Sequence, residues 1–287
     1  MRWLNGIPVL RKFFQNRPEL KSPRELGLMR EAGKLVAAAH RIARELVRPG
    51  VETIEIDRAI EDLYRRHDAQ PLFKGYPGPK VPFPAVTCIS VNEQVVHGIP
   101  GRRVLREGDI VKLDTACKLN GWCADAAVTL PVGEVRPELR RLIQTAWETL
   151  RIAIDELGRR KWWSEVAMKM QQHVERAGFS VVTQYVGHGI GRIMHEPPQV
   201  PNYVNHEVKK HDFRLEPGLV LAVEPMVNLG RRGDVDVIRD HWTVVTRDRL
   251  PSAHVEHTLA ITADGVRILT ADEETADTPP AARAAVV

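Results

Sequence analysis

Four carboxylates and one histidine stand where their neighbours make them conspicuous. Asp114 interrupts the apolar run Ile110, Val111, Leu113, and aspartate is disfavoured in strands. Asp125 lies beyond Asn120-Gly121, a dipeptide that signals a tight hairpin when it separates two strand patterns. With those two as the turn, Asp114 falls opposite Ala127. Asp125, two residues from Ala127, then shares its face. Two such carboxylates repel, and each resists ionisation. A cation between them removes the conflict. Glu224 is the lone carboxylate of the buried-looking run Leu219-Val-Leu-Ala-Val-Glu-Pro-Met-Val227. There it needs a proton, a partner or a metal. Glu256 opens another apolar run, and His188 stands between glycines just after a strand pattern. Those glycines let the backbone bring an imidazole into a crowded site.

An oxygen-rich set with one imidazole suits Mn, Fe(II) or Co better than a thiolate-bound structural zinc. Zn also fits the ligand types. Four carboxylates balance two divalent ions. A pair of ions about 3.5–4 Å apart activates a water and clamps the reacting oxygen. The set therefore points to hydrolysis.

The elements that must position these groups follow a repeated order. Ser22-Pro23-Arg24-Glu25 reads as a capping box with proline at the first helical position. The spacing predicts a helix from there to Pro49-Gly50 and a second over 53–67. Strands are expected over 85–91, 110–116 and 122–130, after a Pro/Gly-rich connection over 71–84. Helices are predicted again over 137–157 and 164–177, each closed by a glycine, Gly158 and Gly178. Strands follow over 181–186, 219–227, 242–246 and 256–262. Each half reads as helix, helix, then strands. The expected architecture is α+β, two like halves sharing one sheet with the site where they meet.

Composition sets the outer limits. The 287 residues are 43% hydrophobic and 27% charged, an ordinary globular balance. A net charge of +4 falls short of a dedicated nucleic-acid binder, and no DNA partner is expected. No apolar run is long enough to span a membrane. Three cysteines are too few for a disulfide framework, which fits a reducing, cytoplasmic setting. The expected layout is an N-terminal extension over 1–21, a catalytic domain over 22–270 and a loose tail over 271–287. The extension is basic, lacks signal-peptide features, and is expected to make a transient contact with ribosomal RNA.

The segments Val95-Val-His-Gly-Ile-Pro100, Leu113-Asp-Thr115, Ala124-Asp125, Gly187-His-Gly-Ile-Gly-Arg192, Glu224-Pro-Met-Val-Asn228 and Glu256-His-Thr258 together resemble the signature set of type I methionine aminopeptidases. The resemblance runs from about Ser22 to Leu269. It implies the pita-bread fold, a pseudo-twofold antiparallel sheet covered by two pairs of helices. It implies that Asp114, Asp125, His188, Glu224 and Glu256 hold two divalent ions, with Asp125 and Glu256 bridging and Glu224 shuttling the proton. By the same resemblance His97 and His195 contact substrate and stabilise the tetrahedral intermediate. Cys88, Tyr76 and Trp242 match the methionine pocket. Met194 stands there where phenylalanine is expected, and Pro197 where a second glutamate is usual. The implied reaction removes the initiator methionine from nascent polypeptides when the second residue is small.

Two rivals remain at this point. An aminopeptidase P or prolidase shares the fold and ligands but usually carries a large N-terminal domain. A non-catalytic ribosome-binding homologue would have lost ligands, whereas all five are here. A monomer is expected. Of the eleven histidines, His257 reads as structural. His40, His67, His173, His206, His211, His241 and His254 need no function.

Overall fold

The computed structural model describes residues 18–272. The extension over 1–17 and the tail over 273–287 lie outside them. Helix α1 (Pro23–Leu46) starts as the sequence predicts: Ser22 Oγ accepts from Glu25 N, and Glu25 Oε2 accepts from Ser22 N at 2.8 Å. Its apolar face, with α2 (Thr53–Arg66), packs Val36, Ile56, Ile60 and Tyr64 against strand residues such as Ile89, Leu113 and Val128. In the second half α3 (Pro137–Leu157) and α4 (Trp163–Arg176) cover the other core in the same way, through Leu142, Leu150, Val166 and Met170. A short helix, α5 (His206–Lys210), follows. Gly178 takes the expected left-handed conformation (φ +83°), but Gly158 stays right-handed at φ −79°.

The first half contains β1 (Gln70–Pro71), β2 (Thr87–Val91), β3 (Ile110–Leu119) and β4 (Trp122–Pro131). They form one antiparallel ladder in the order β1-β3-β2, with β4 also on β3. The β3–β4 hairpin has the predicted register, Asp114 facing Ala127 and Ala116 facing Asp125. Asn120 and Gly121 both have positive φ, 51° and 83°, as a type I′ turn requires.

The second half is more broken than predicted. Its strands are β5 (Ser180–Val181), β6 (Gly187–Gly189), β7 (Glu196–Val200), β8 (Val220–Val223), β9 (Met226–Asn228), β10 (Val235–Val237), β11 (Val244–Thr246), β12 (Ser252–His254), β13 (His257–Thr262) and β14 (Gly265–Ile268). The expected run over 219–227 is split at Glu224-Pro225 into β8 and β9. A proline cannot donate to a ladder. The run over 181–186 keeps only its first residue as strand, in β5. The ladders are β14-β13-β8-β6-β7, β12-β9-β5 and β10-β11.

The halves meet along a seam between β4 and residues 254–258. Glu256 N donates to Ala127 O at 2.8 Å, His254 N to Thr129 Oγ1 at 2.9 Å, and Asp125 N to Thr258 Oγ1 at 3.0 Å. The shared sheet expected from sequence is thus joined at this seam by sparse bonds, most of them through threonine hydroxyls.

Candidate metal and peptide-binding site

The pairing registers place the five conspicuous residues in two adjacent rows on one sheet face. One row runs Cys88, Asp114, Ala127 by register and reaches Glu256 across the seam. Continued one pair beyond His257↔Val223, the β13–β8 register sets Glu256 opposite Glu224. The second row runs Ala116, Asp125, then Thr258 across the seam, Ala222 and His188. Residues directly opposite, or two apart along a strand, share a face. All five side chains therefore converge above the seam. Buried Ala127 and Ala222 leave room between them.

The second row ends in a tight place. A Cβ on Gly187 would lie 2.2 Å from Ala222 O, and one on Gly189 would lie 2.1 Å from Pro197 O. The crowding around His188 comes from the flanking strands β8 and β7. Its Nδ1–H donates to Gly189 O at 2.9 Å. That leaves the Nε2 lone pair facing Asp125 Oδ2 at 3.9 Å and Glu224 Oε1 at 3.8 Å. Burial holds the imidazole neutral, its pKa drawn down to about 4.

This donor set fits divalent metal. Asp125, His188 and Glu256 each offer a ligand atom, all within 4.8 Å of one another. Asp114 Oδ1, Asp125 Oδ1 and Glu256 Oε1 are buried without hydrogen-bond partners. Burial first, then the neighbouring carboxylates, push Asp114 and Glu256 well above the usual carboxylate range. Burial and the Asp125 charge do the same to Glu224. Bound cations relieve both the orphaned buried oxygens and the mutual repulsion, as protonation does in their absence.

Every ligand, catalytic and pocket residue expected from sequence lines one cavity with these groups: His97, His195, Cys88, Tyr76, Met194 and Trp242 stand around the five. Cys88 and Met194 are buried with Phe73, Phe83, Ala85 and Ala116. Trp242 packs edge-on to Phe83 at 5.1 Å and to His97 at 6.3 Å. Burial, then the Asp114 charge, push the Cys88 thiol well up, so it is a packing residue and not a thiolate. His97 has φ +59°, a left-handed conformation that an ordinary residue holds only where its surroundings enforce it. His195 meets the His188 ring edge to face, 4.3 Å between centroids. Glu196, the next residue, accepts from Arg192 N at 2.7 Å and from Lys21 Nζ at 2.6 Å. Both side chains of that ion pair are buried.

One histidine set aside on sequence grounds belongs here. His254 is buried, its Nε2 lies 3.7 Å from Glu224 Oε2, and neither ring nitrogen has a hydrogen-bond partner. Strand alternation carried the signal, since His254 is two residues before Glu256 and shares its face. Tyr185, edge-on to His97 at 5.5 Å, was also missed. It follows no motif that its sequence neighbours announce.

A metal-fitting donor set on two like α+β halves is a metallopeptidase scaffold, and the chain belongs to metallopeptidase family M24, which it matches over residues 27–263. Within that family it is 46% identical to methionine aminopeptidase 1 of Bacillus subtilis over 250 residues, 87% of this chain and 98% of that one. A methionine aminopeptidase from Thermotoga maritima superposes with a TM-score of 0.84 at 39% identity, covering 89% of this chain and all of that one. The prolidase from Pyrococcus furiosus shares the fold, with a TM-score of 0.66 at 20% identity, covering 88% of this chain and 66% of that one.

Proposed function

We propose that this enzyme is a methionine aminopeptidase that hydrolyses the bond after an N-terminal methionine when the next residue is small. The observation that carries the reading is the convergence of the five ligand-type residues at one end of a cavity walled by Cys88, Met194, Tyr76 and Trp242. That wall is apolar and sulfur-tolerant, as a thioether needs. A large second residue would crowd the carboxylates.

Asp114, Asp125, His188, Glu224 and Glu256 would hold two divalent ions, Mn, Fe(II), Co or Zn. When bound, the ions polarise the scissile carbonyl and lower the pKa of a water. The chain's own residues do the rest. Glu224, flanked by His188 and His254, takes the proton that the attacking water gives up and delivers it to the leaving nitrogen. His97 and His195, both held neutral by burial, donate to the carbonyl oxygen as charge develops there.

Residues 22–270 form the catalytic domain in this reading. The enzyme acts in the cytoplasm as a monomer on nascent chains. The basic segment up to Arg17, outside the described residues, makes the transient ribosome contact. Among the described residues no helix is long and apolar enough to cross a membrane. The test is a peptide assay on the metal-loaded enzyme. Release of methionine from Met-Ala-Ser, with Xaa-Pro peptides left intact, is the expected result. Cleavage of Xaa-Pro with Met-Ala-Ser untouched would hand the site to the prolidase reading.

A further inference from the structure

Two imidazoles stand side by side in the cavity with opposite partners. His188 Nδ1 lies 2.9 Å from a carbonyl oxygen, Gly189 O. A carbonyl only accepts, so the hydrogen sits on Nδ1 and the lone pair on Nε2. His195 Nδ1 lies 2.8 Å from the Tyr76 hydroxyl, which can donate.

Which way that bond runs follows from what surrounds it. Among the described residues, His195 is the one hydrogen-bond partner of the Tyr76 hydroxyl. If His195 Nδ1 donated, the phenolic hydrogen would have nowhere to go inside the protein. If the phenol donates, both groups are satisfied. Burial pushes the phenol above its ordinary value, so it keeps its hydrogen at neutral pH. A ring nitrogen that accepts carries no hydrogen, so with Nδ1 accepting from Tyr76 the His195 ring has its hydrogen on Nε2.

The Tyr76 ring is well placed to enforce this. Its backbone is pinned on both sides, Tyr76 N donating to Phe73 O at 2.8 Å and Phe83 N donating to Tyr76 O at 2.9 Å. The ring meets His195 edge to face, 5.4 Å between centroids. Glu196 and Lys21 fix the histidine's own loop from the other side.

We propose that Tyr76 is a positioning residue that sets the tautomer of His195, placing its hydrogen on Nε2, so that two adjacent histidines serve as opposites: His188 an electron-pair donor and His195 a hydrogen-bond donor. This gives Tyr76 a role beyond lining the pocket. It rests on the reading of His195 as a substrate contact.

The test is Tyr76→Phe in the full chain, which removes the hydroxyl and keeps the ring. In the parent enzyme, 15N NMR of histidine-labelled protein, metal-free and zinc-loaded, should show His195 as a single Nε2–H tautomer. In Tyr76→Phe it should become a mixture, while His188 stays Nδ1–H. With Met-Ala-Ser, kcat should fall about tenfold, the size of one lost neutral hydrogen bond, with KM changed less than twofold. An unchanged His195 tautomer in the variant overturns the proposal. A shifted tautomer with full kcat overturns its catalytic half. His195→Ala separates that failure from the parent reading: full activity there removes His195 from the mechanism, whatever Tyr76 does to its ring.

Discussion

The two halves of the sheet deliver the proposed ligands to the same face by different means. The first half uses length. β3 and β4 are ten residues each, closed by a two-residue turn, and their register alone sets Asp114 and Asp125 on one side. The second half uses interruption. His188 sits at a register shift in β6, Glu224 at the proline break between β8 and β9, and Glu256 just before β13 begins. A continuous strand can place side chains only two residues apart on a face. At a break the backbone pairing stops beside the carboxylate, so its position is not held by strand pairing on both sides. The regular half therefore carries its own scaffold, whereas the broken half depends on braces from outside it. The Lys21–Glu196 pair and the Thr129 hydroxyl are such braces.

The largest effect that tests this contrast belongs to Asp114→Asn. It weakens a ligand without changing shape, in a hairpin that register holds. Activity should fall at least about 100-fold, beyond what loss of an outer-shell partner costs. The bound-metal content, read by elemental analysis, should fall with it. The unfolding midpoint of the metal-free protein should hold or rise, because one of several repelling buried carboxylates is gone. A clear loss of metal-free stability would show that the hairpin also needs its carboxylate. Unchanged turnover would remove Asp114 from the ligand set.

A smaller effect, on the opposite side of the comparison, belongs to Lys21→Met. It leaves Glu196 buried without its counter-ion, next in sequence to His195. Removing one partner of a buried pair costs about 3–5 kcal/mol. Urea unfolding should show a loss of that order in the single variant and partial recovery in Lys21→Met/Glu196→Gln, where no bare charge remains. If the single variant is as stable as the parent, the loop bearing His195 stands without its brace, and the contrast between the halves weakens.

The same division decides what could be read from sequence. The hairpin was legible to the residue, because Asn120-Gly121 names both the turn type and the register. Helix α1 was legible from its capping box. The ligand types of the second half were legible as misfits in apolar runs, but their geometry was not. β6, β8 and β13 pair across long stretches of chain, and no local turn chemistry sets their alignment. Pro225 marked a break that the apolar pattern of 219–227 overrode. His254 went unrecognised because it was weighed as a single residue, although its two-residue spacing from Glu256 placed it on the same face.

Glycine to alanine, made once in each half, gives the finest measure of the contrast. At Gly121 the conformation is left-handed, φ +83°, but the nearest atom to an added Cβ is Arg192 Nη1 at 3.8 Å. The cost is conformational alone, about 1 kcal/mol. Ten paired residues on each side, with β2 and β1 further along β3, are enough to hold the register. Gly121→Ala should therefore lower stability by that small amount and leave kcat and metal content as they were. At Gly189 an added Cβ would stand 2.1 Å from Pro197 O, a backbone atom of β7 that cannot swing aside. Gly189→Ala must push β6 from β7 and carry the His188 ring with it. Its loss of stability should exceed that of Gly121→Ala, and its metal content should drop. Equal effects at the two glycines would mean that the broken half tolerates displacement as well as the regular one, and that its ligands are not held by the tight strand contacts around His188.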